Sequence, residues 1–457
     1  MKKYDVLVIG SGAGMGVASD ALSNGLKVAV VDKGPLGGTC LNLGCIPSKL
    51  LIFPSDRVAE IENSKKLGVE ASITKIRFRE IMERMRSSIA EDREHIREGI
   101  KQTKKLDFYD STGYFTEDYT ISVNGKKIFG EKIFIVAGAR PLIPNVKGLD
   151  QIEYLTNESI LELNELPKSV VILGGGYIAC EFGHFLAGMG SEVTIIQRNI
   201  RLVANEEPEV SELLLKEMSK RMKIYTNTEV IETTKKGDQF KIIGKVRGSG
   251  NIIEVTAEKV LVAGGRVPNS DLLKVQNTGV ETDPRGYIKV NDYLETSKEN
   301  IWAFGDVIGK YMFRHSANKE AVYAWHNSLH GKRLPMDYTA IPHAVFSYPE
   351  IASVGMTENE AKKKHKILVG YSKYNSVAKG IAMLEDETFA KAIVDKESGK
   401  ILGFHIIGPY ASILIQEVIN TMANNMNFKS IFKGMHIHPA LPELIPSTLA
   451  NLRERKE

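Results

Sequence analysis

The 457-residue sequence contains only three cysteines and two tryptophans. Three thiols are too few for the disulfide framework that supports small secreted domains. No apolar run approaches the roughly 18 residues that a membrane-spanning helix needs. The basic start, Met1-Lys2-Lys3, precedes a short predicted strand closed by Gly10 rather than the apolar core of a signal peptide. We therefore expect a soluble, cytoplasmic protein with no membrane contact.

The chain also has no block of basic residues. The sequence contains 60 Lys and Arg residues and 56 Asp and Glu residues, which gives a formal charge of +4. Residues of the two charges are interspersed along the sequence. This pattern argues against a nucleic-acid partner. The length and the 43% hydrophobic content allow several cores, and about 150 residues per domain suggests three domains. The composition therefore predicts a multidomain globular protein.

Two of the three cysteines lie five positions apart, in the run from Gly37 to Lys49. A disulfide needs Cα atoms about 4.4–6.8 Å apart, whereas an extended chain would separate them by roughly 16 Å, so the chain must coil here. Pro47 suits the first turn of a helix, which places Cys45 at a helix N-terminus. Backbone N–H groups and the helix dipole favour a thiolate there and lower its pKa. We interpret Cys40 and Cys45 as a redox-active disulfide.

Other readings of the cysteines are weaker. A zinc site usually has two cysteines separated by two residues, and too few further thiols remain here to complete one. Two simply buried thiols are the other alternative. The third cysteine, Cys180, lies on a predicted helix with no second thiol nearby, and we expect it to be a core residue.

A glycine-rich loop follows the first predicted strand, residues 5–9. A helix to about Asn24 and a second strand, residues 27–31, come next, and that strand is followed by Asp32. This order is typical of dinucleotide binding, with the pyrophosphate at the helix N-terminus and the acidic residue on a ribose. Met15 replaces the third glycine of the pattern, which predicts looser packing of helix on strand. The loop glycines are Gly10, Gly12 and Gly14.

A second nucleotide-binding pattern begins with the predicted strand at residues 169–173. Gly174 and Gly176 follow it, then a helix to about Met189 and a strand at residues 192–196. Two such modules imply two cofactors. The second strand ends in Gln197-Arg198, where an acidic residue would bind the NAD ribose, and an arginine here can accept the 2′-phosphate of NADP instead. This favours NADP(H) slightly, with Arg201 as a further contact, although Arg198 can equally be read as a solvated surface residue.

The order of these modules, the thiol pair and a terminal cluster, His438-Pro439-Ala440-Leu441-Pro442-Glu443, resembles the flavin-dependent pyridine nucleotide-disulfide oxidoreductases over essentially the whole chain. The resemblance implies an α/β fold with two Rossmann-like dinucleotide-binding domains and a C-terminal α+β dimerisation domain. The implied segments are 1–146 and 267–338 for the two parts of the FAD-binding domain, 147–266 for the NAD(P)-binding domain, and 339–457 for the dimerisation domain.

The same resemblance assigns the cofactors to the modules. Asp306 is expected near the ribityl chain of FAD, and the helix N-terminus after His315 near the flavin ring, where Arg314 replaces the usual small residue. The implied FAD contacts are Gly10, Gly12, Gly14, Asp32, Lys33, Gly38, Thr39, Ala137, Gly138, Gly305 and Asp306. The implied NAD(P) contacts are Gly174, Gly176, Tyr177, Ile178, Arg198 and Gly265.

Catalytic roles also follow from the resemblance. A substrate thiolate is expected to attack Cys40, and Cys45 to pass electron density to the flavin. His438 suits a proton acceptor near pH 7, with Glu443 orienting it. In the family this pair reaches the disulfide of the other subunit, which implies a homodimer. Members of the family have an ion pair beside the flavin, and the corresponding residues here are Lys49 and Glu181. His436 is expected either to support the catalytic residues or to be exposed to solvent.

Two substrate classes remain open. The segments at residues 341–346, 351–355 and 405–409 resemble dihydrolipoamide dehydrogenases, which makes dihydrolipoamide on a lipoyl-bearing protein the leading substrate. Ala440 stands where those enzymes usually have threonine, and the stretch resembles mycothione reductases. Together with Arg198 it favours the alternative, NADPH-dependent reduction of a small disulfide.

Two further functions are disfavoured. A mercuric reductase would be expected to carry a cysteine pair near its C-terminus, which residues 451–457 lack, and a metal-binding domain at its N-terminus. A lipoyl-domain-binding subunit with only incidental turnover would not need the complete redox set.

Overall fold

The structure is a computed structural model that describes residues 1–454. Residues 455–457, the end of the predicted dimerisation domain and of the segment without a cysteine pair, lie outside the described residues. The chain forms two compact units, one from residues 1–50, 82–143 and 265–337 and the other from 51–81, 144–264 and 338 onward. Both units mix helices and strands, and the predicted fold class is confirmed. The four-segment division of domains stays a prediction.

The strands are named in chain order. They are β1 (Lys2–Ile9), β2 (Val28–Asp32), β3 (Leu106–Asp110), β4 (Gly113–Glu117), β5 (Thr120–Val123), β6 (Lys126–Ile135), β7 (Ala139–Pro141), β8 (Ser169–Leu173), β9 (Glu192–Ile196), β10 (Lys223–Tyr225), β11 (Thr228–Lys236), β12 (Gln239–Val246), β13 (Ile252–Ala257), β14 (Lys259–Val262), β15 (Arg266–Pro268), β16 (Ile301–Ala303), β17 (Pro342–Val345), β18 (Ile351–Gly355), β19 (Ile367–Lys373), β20 (Phe389–Asp395) and β21 (Ile401–Ile407).

The α-helices follow the same convention. They are α1 (Gly14–Ser23), α2 (Gly38–Asn42), α3 (Cys45–Asn63), α4 (Phe78–Gln102), α5 (Tyr177–Met189), α6 (Pro208–Met218), α7 (Arg314–Leu329), α8 (Glu358–Ala361), α9 (Ala378–Ala382), α10 (Ala411–Leu414), α11 (Gln416–Ala423) and α12 (Leu444–Ala450). Within residues 1–454, no helix is both long enough and apolar enough to span a bilayer.

The first unit is built on a sheet with the strand order β3-β2-β1-β6-β5-β4, and β16 also pairs with β6. β1 runs parallel to β2 and β6, with Val8 opposite Val30 and Phe134. Parallel strands covered on both faces are apolar along their length, and all three of these side chains are buried. The glycine loop leaves the carboxyl end of β1, which is where ligands bind in sheets of this kind.

The second unit contains three sheets. The parallel sheet β10-β9-β8-β14 repeats the β-α-β arrangement of the first unit, β11-β12-β13 form an antiparallel sheet, and β17-β18-β21-β20-β19 form a larger antiparallel one. Apolar residues of α11 and α12 pack with the larger sheet in a single core. The sequence predicts one helix over residues 412–423, but the structure divides this segment at Ile415 into α10 and α11.

A buried ion cluster joins the segment around the start of α6 to the large sheet. Lys391 on β20 is 1% exposed, and its Nζ lies 2.7 Å from Glu207, 2.8 Å from Glu358 and 3.1 Å from Glu209. Burial opposes the charge on Lys391, but the hydrogen bonds to Glu207 and Glu358 outweigh it and hold the pKa of Lys391 above its usual value. One ammonium group therefore contacts carboxylates from α6, from the segment before it and from α8.

We expect Lys391→Met to lower the free energy of unfolding by about 3–5 kcal/mol, because Glu207 would stay buried without its ammonium partner and Glu358 would keep only Lys362, 2.9 Å away. Lys216→Met is the matched control, since the Lys216–Glu387 pair at 2.8 Å is more than half exposed on both sides and such pairs contribute little. Chemical denaturation of both variants measures the difference. An equal decrease in the free energy of unfolding for both variants would show that the buried cluster stabilises the fold no more than a surface ion pair does.

Candidate active site

The two cysteines lie on consecutive short helical segments of the first unit. Cys40 is on α2, and α3 begins at Cys45, as the sequence predicted. The backbone N–H of Leu43 donates to the Thr39 carbonyl at 2.8 Å, which coils the chain between the two thiols. A Cβ at Gly44 would lie 3.1 Å from the Thr39 carbonyl oxygen, so the turn favours glycine there. The predicted coil is therefore present.

The thiols interact directly. The hydrogen bond to Cys45 and burial raise the pKa of the Cys40 thiol, and the charge of Arg314 opposes that rise. Cys40 is half-buried and Cys45 is exposed. Two thiols coupled in this way lose their first proton as a pair, and the raised pKa keeps a proton on Cys40. The expected thiolate at Cys45 stays a prediction.

The third cysteine, Cys180, belongs to the second unit. Its side chain is fully buried, and burial raises the pKa of its thiol. The expectation of a core residue is confirmed.

The first glycine loop lies against the helix that carries Cys40. A Cβ on Gly38 would lie 2.8 Å from the Gly12 Cα, and a Cβ on Gly10 would lie 2.2 Å from the Val136 carbonyl oxygen. Both Gly10 and Gly38 have positive φ, +113° and +73°. Only glycine permits this backbone at these contacts. The predicted nucleotide loop and the thiol segment thus form one continuous structure.

Gly14 corrects the expectation about Met15. A Cβ on Gly14 would lie 2.6 Å from Cγ1 of Val8, so α1 approaches β1 at Gly14 rather than at the next position. Met15 itself is half-buried. The predicted loosening of helix on strand does not occur.

Asp32 and Ser11 fix the shape of the loop. The Asp32 carboxylate accepts hydrogen bonds from the backbone N–H of Ser11 at 2.5 Å and of Gly34 at 2.9 Å. The Ser11 hydroxyl accepts one from the backbone N–H of Gly37 at 2.9 Å. Ser11 was missed by the sequence analysis because it is a variable position of the glycine pattern. The predicted Lys33 is exposed and Thr39 is half-buried.

Residues distant in sequence hold the turn at Asp306. Arg266 Nε lies 3.6 Å from the Asp306 carboxylate, and Arg266 also donates to the Ala139 carbonyl. Burial raises the pKa of Asp306, with Arg266 acting against it. The buried Glu320 accepts from the Gly305 N–H at 2.7 Å. Arg266 and Glu320 were not predicted, because nothing local in the sequence marks them as neighbours of Asp306.

Asn269 holds the predicted contacts at Ala137 and Gly138. Its side-chain amide donates to the Ala137 carbonyl at 2.8 Å, and its backbone N–H donates to the Gly138 carbonyl at 3.1 Å. The predicted Gly265 accepts from the Leu142 N–H at 2.9 Å. These residues of the first unit therefore lie together along the ends of β6, β7 and β15.

The second glycine loop has the same geometry in the second unit. Gly174 has φ +130°, and its Cβ would lie 2.2 Å from the Ala263 carbonyl oxygen. Gly176 precedes α5, and the predicted Tyr177 and Ile178 form the first turn of that helix. A helix N-terminus after such a loop is suited to binding a pyrophosphate.

The segment after β9 places the predicted arginines. Gln197 is buried against Gly175, while Arg198 is exposed and Arg201 half-exposed. Arg201 lies 4.0 Å from a carboxylate oxygen of Glu212. Arg198 is thus exposed to solvent at the end of β9, the place where this fold binds the ribose of the nucleotide.

Further along this segment, Glu206 attaches it to the large antiparallel sheet. The Ser353 hydroxyl donates to Glu206 at 2.6 Å, and His343 forms a second hydrogen bond to the same carboxylate. Burial opposes its ionisation, but these bonds, led by the one to His343, hold the pKa of Glu206 below its usual value. The segment that carries Arg198 is therefore anchored by a buried carboxylate.

The two residues of the predicted ion pair belong to different units, Lys49 to the first and Glu181 to the second. Lys49 Nζ donates to the Ser48 hydroxyl at 3.2 Å in the first unit. Glu181 is buried on α5, and its carboxylate accepts from the backbone N–H of Phe346 at 3.0 Å in the second unit. The ion pair between them stays a prediction.

His438 and Glu443 form the predicted pair. His438 Nδ1 lies 2.9 Å from one carboxylate oxygen of Glu443, and the other oxygen accepts from the Ala440 N–H at 3.0 Å. The bond from His438, with that from Ala440, lowers the pKa of Glu443. A carboxylate at Nδ1 selects the tautomer with a proton there, which leaves Nε2 as a proton acceptor. His436 instead lies 3.0 Å from Glu417.

The surface around this pair is apolar. The His438 side chain is 74% exposed, and the nearby Met435 and Ile437 are 101% and 78% exposed. Apolar surface of this kind is typical of a protein interface.

Comparison with known proteins identifies the family. Residues 4–321 match the pyridine nucleotide-disulphide oxidoreductases, and residues 341–448 match the dimerisation domain of the same family. The chain belongs to the pyridine nucleotide-disulphide oxidoreductases. The predicted family is thereby confirmed, as are FAD and NAD(P) as the cofactors. The dimerisation domain indicates a homodimer.

Several members of the family are similar to nearly the whole chain. A mycothione reductase of Mycobacterium tuberculosis is 32% identical, covering 99% of this chain and 100% of its own. A dihydrolipoyl dehydrogenase of Geobacillus stearothermophilus is 34% identical, over 96% and 94%. A mercuric reductase of Staphylococcus aureus is 32% identical, over 90% and 76%. The solved HOCl-induced flavoprotein disulfide reductase RclA of Escherichia coli, as its Cu(II) complex, is 26% identical, with a TM-score of 0.87 over 98% and 99%.

The first module of this oxidoreductase fits FAD. Gly12 carries no side chain, which leaves its backbone accessible to a pyrophosphate, and Asp32 and Asp306 would offer carboxylates to the ribose and ribityl hydroxyls. When bound, FAD relays electrons between the thiol pair and the nicotinamide.

In the reduced protein we expect the Cys40 thiol to react with iodoacetamide only at higher pH than an ordinary cysteine, since Cys45 raises its pKa. Cys45→Ala should therefore shift the pH profile of Cys40 alkylation downward, measured on the Cys40 peptide by mass spectrometry. Cys180→Ala is the control and should leave that profile unchanged, because Cys180 is fully buried. A Cys45→Ala profile at or above that of the unmodified chain would contradict the coupling.

Proposed function

We propose that this oxidoreductase passes electrons between a dithiol and NAD(P) through Cys40 and Cys45, and that the dithiol is dihydrolipoamide on a lipoyl-bearing protein. The observation that carries the proposal is the direct interaction of the two thiols at the start of α3. The similarity to dihydrolipoyl dehydrogenases over more than nine-tenths of both chains supports the choice of substrate.

The chemistry at the thiols is a balanced exchange. A substrate thiolate attacks the sulfur of Cys40, the Cys40–Cys45 bond breaks, and Cys45 leaves as a thiolate. The second substrate thiol then attacks the mixed disulfide, which closes the substrate disulfide and releases Cys40. The substrate loses two electrons and the protein pair gains them. Of the two protons released, one is held on Cys40, whose pKa is raised by Cys45, and the other passes to a base.

His438 is the proposed base. Its Nε2 is the free proton acceptor because Glu443 holds Nδ1, and the carboxylate stabilises the imidazolium that forms. We propose that it acts on the thiol pair of the second subunit in a homodimer. The exposed apolar residues Met435 and Ile437 beside it support an interface at this place.

A second candidate is the NADPH-dependent reduction of a small disulfide. The exposed Arg198 favours it, because a guanidinium at this position can bind the 2′-phosphate that distinguishes NADPH from NADH. Ala440 in the terminal cluster and the similarity to a mycothione reductase agree with this candidate. The thiol chemistry would then run in the opposite direction.

Steady-state turnover of dihydrolipoamide with NAD+ and with NADP+ tests both candidates. We expect rapid oxidation of dihydrolipoamide, and we expect Arg198→Ala to weaken NADP+ binding roughly 10–100-fold while leaving NAD+ nearly unchanged, because only NADP+ carries the phosphate. The exposed Arg247 offers the control Arg247→Ala. No turnover with either acceptor, together with NADPH-driven reduction of small disulfides, would replace the first candidate by the second.

Subunit complementation tests the proposed base. Cys45→Ser and His438→Gln homodimers should each retain FAD and lose dithiol turnover. A heterodimer of the two, purified through different affinity tags, contains one intact site if the base acts across the interface, and should regain about half of normal activity. A heterodimer as inactive as its parents would place His438 and the thiols of one site in the same subunit.

A further inference from the structure

Arg314 lies beside the first glycine loop. It is the first residue of α7, and its Nη1 is 3.5 Å from the position that a Cβ of Gly12 would take. Gly12 is the second glycine of the fingerprint, the one whose missing side chain lets the pyrophosphate approach the backbone. A guanidinium therefore stands next to the surface on which the anionic part of the dinucleotide is expected.

No carboxylate in residues 1–454 forms an ion pair with this guanidinium. The side chain is half-buried, and the Cys40 thiol is close enough to feel its charge. Gly38, two residues before Cys40, borders the same space, since a Cβ on Gly12 would lie 3.9 Å from the Gly38 Cα. Arg314 is thus a cation between the nucleotide loop and the thiol helix, and no carboxylate of residues 1–454 pairs with it.

We propose that Arg314 binds the pyrophosphate of FAD. A guanidinium presents paired N–H donors that match two phosphate oxygens, and it stays charged at any working pH. The glycine loop offers only backbone N–H groups and the partial charge of a helix terminus. Arg314 adds a full charge where the family resemblance led us to expect a small side chain.

The same charge reaches Cys40. Cys45 and burial raise the pKa of that thiol, while Arg314 works in the opposite direction. A guanidinium engaged by pyrophosphate is partly neutralised and favours the Cys40 thiolate less. Bound cofactor should therefore strengthen the retention of a proton on Cys40.

FAD release from the holoenzyme is the primary test. We expect Arg314→Gln to weaken FAD binding roughly 10–100-fold, the usual effect of losing a charge-assisted hydrogen bond, seen as faster appearance of free flavin fluorescence. The difference in release rate between Arg314→Gln and the unmodified protein should become smaller at high salt. The release rate of Arg314→Lys should lie between those of these two proteins. Lys319→Gln removes a charge from the same helix, where Lys319 donates to the Asp337 carbonyl, and should release FAD at the normal rate.

A competition experiment locates the contact within FAD. On the full-length apoprotein, ADP and adenosine compete with FAD for the same module, and only ADP carries the pyrophosphate. Arg314→Gln should weaken ADP and leave adenosine unchanged. Equal weakening of both, or unchanged FAD release with an altered Cys40 alkylation profile, would overturn the proposal and assign Arg314 to the shape of the site or to the thiol alone.

Discussion

The first unit depends on one close backbone contact, between the loop after β1 and the helix that carries Cys40. Gly12 and Gly38 meet with no room for a side chain on the second, and the Ser11 hydroxyl and the Gly37 N–H lock the same junction. Because of this contact, the segment that carries Cys40 cannot move independently of the first glycine loop. The close approach of the two segments depends on the absence of one Cβ rather than on a strong bond.

Local sequence patterns predicted much of this structure. The strand-loop-helix order of both modules appears where it was expected, because apolar strands and positive-φ glycines are visible in a single stretch of sequence. The helix start at Cys45 was predicted from Pro47, which is also a local signal. His438 and Glu443 are five residues apart, so their contact also lies within the reach of a local pattern.

Contacts between distant segments were not predictable in this way. Arg266 and Asp306 are forty residues apart, and Glu320 reaches Gly305 only because α7 folds back on it. The interruption at Ile415 was missed, because the sequence of residues 412–423 was interpreted as one continuous helix. The clusters around Lys391 and Glu206 contain residues from strands and loops that are up to 184 positions apart in the sequence. Charged residues on a strand read as solvent-facing until the partner segment is known.

The segment after β9 is fixed at both of its ends, while Arg198 between them is exposed. Gln197 is packed under Gly175 at one end, Val203 donates to the Gly175 carbonyl at 2.7 Å, and Glu206 is bound into the large sheet at the other. Between these fixed points, Arg198 points into solvent and supports nothing else. A substitution at Arg198 can therefore change the charge of this surface while both ends of the segment stay fixed and the scaffold is kept.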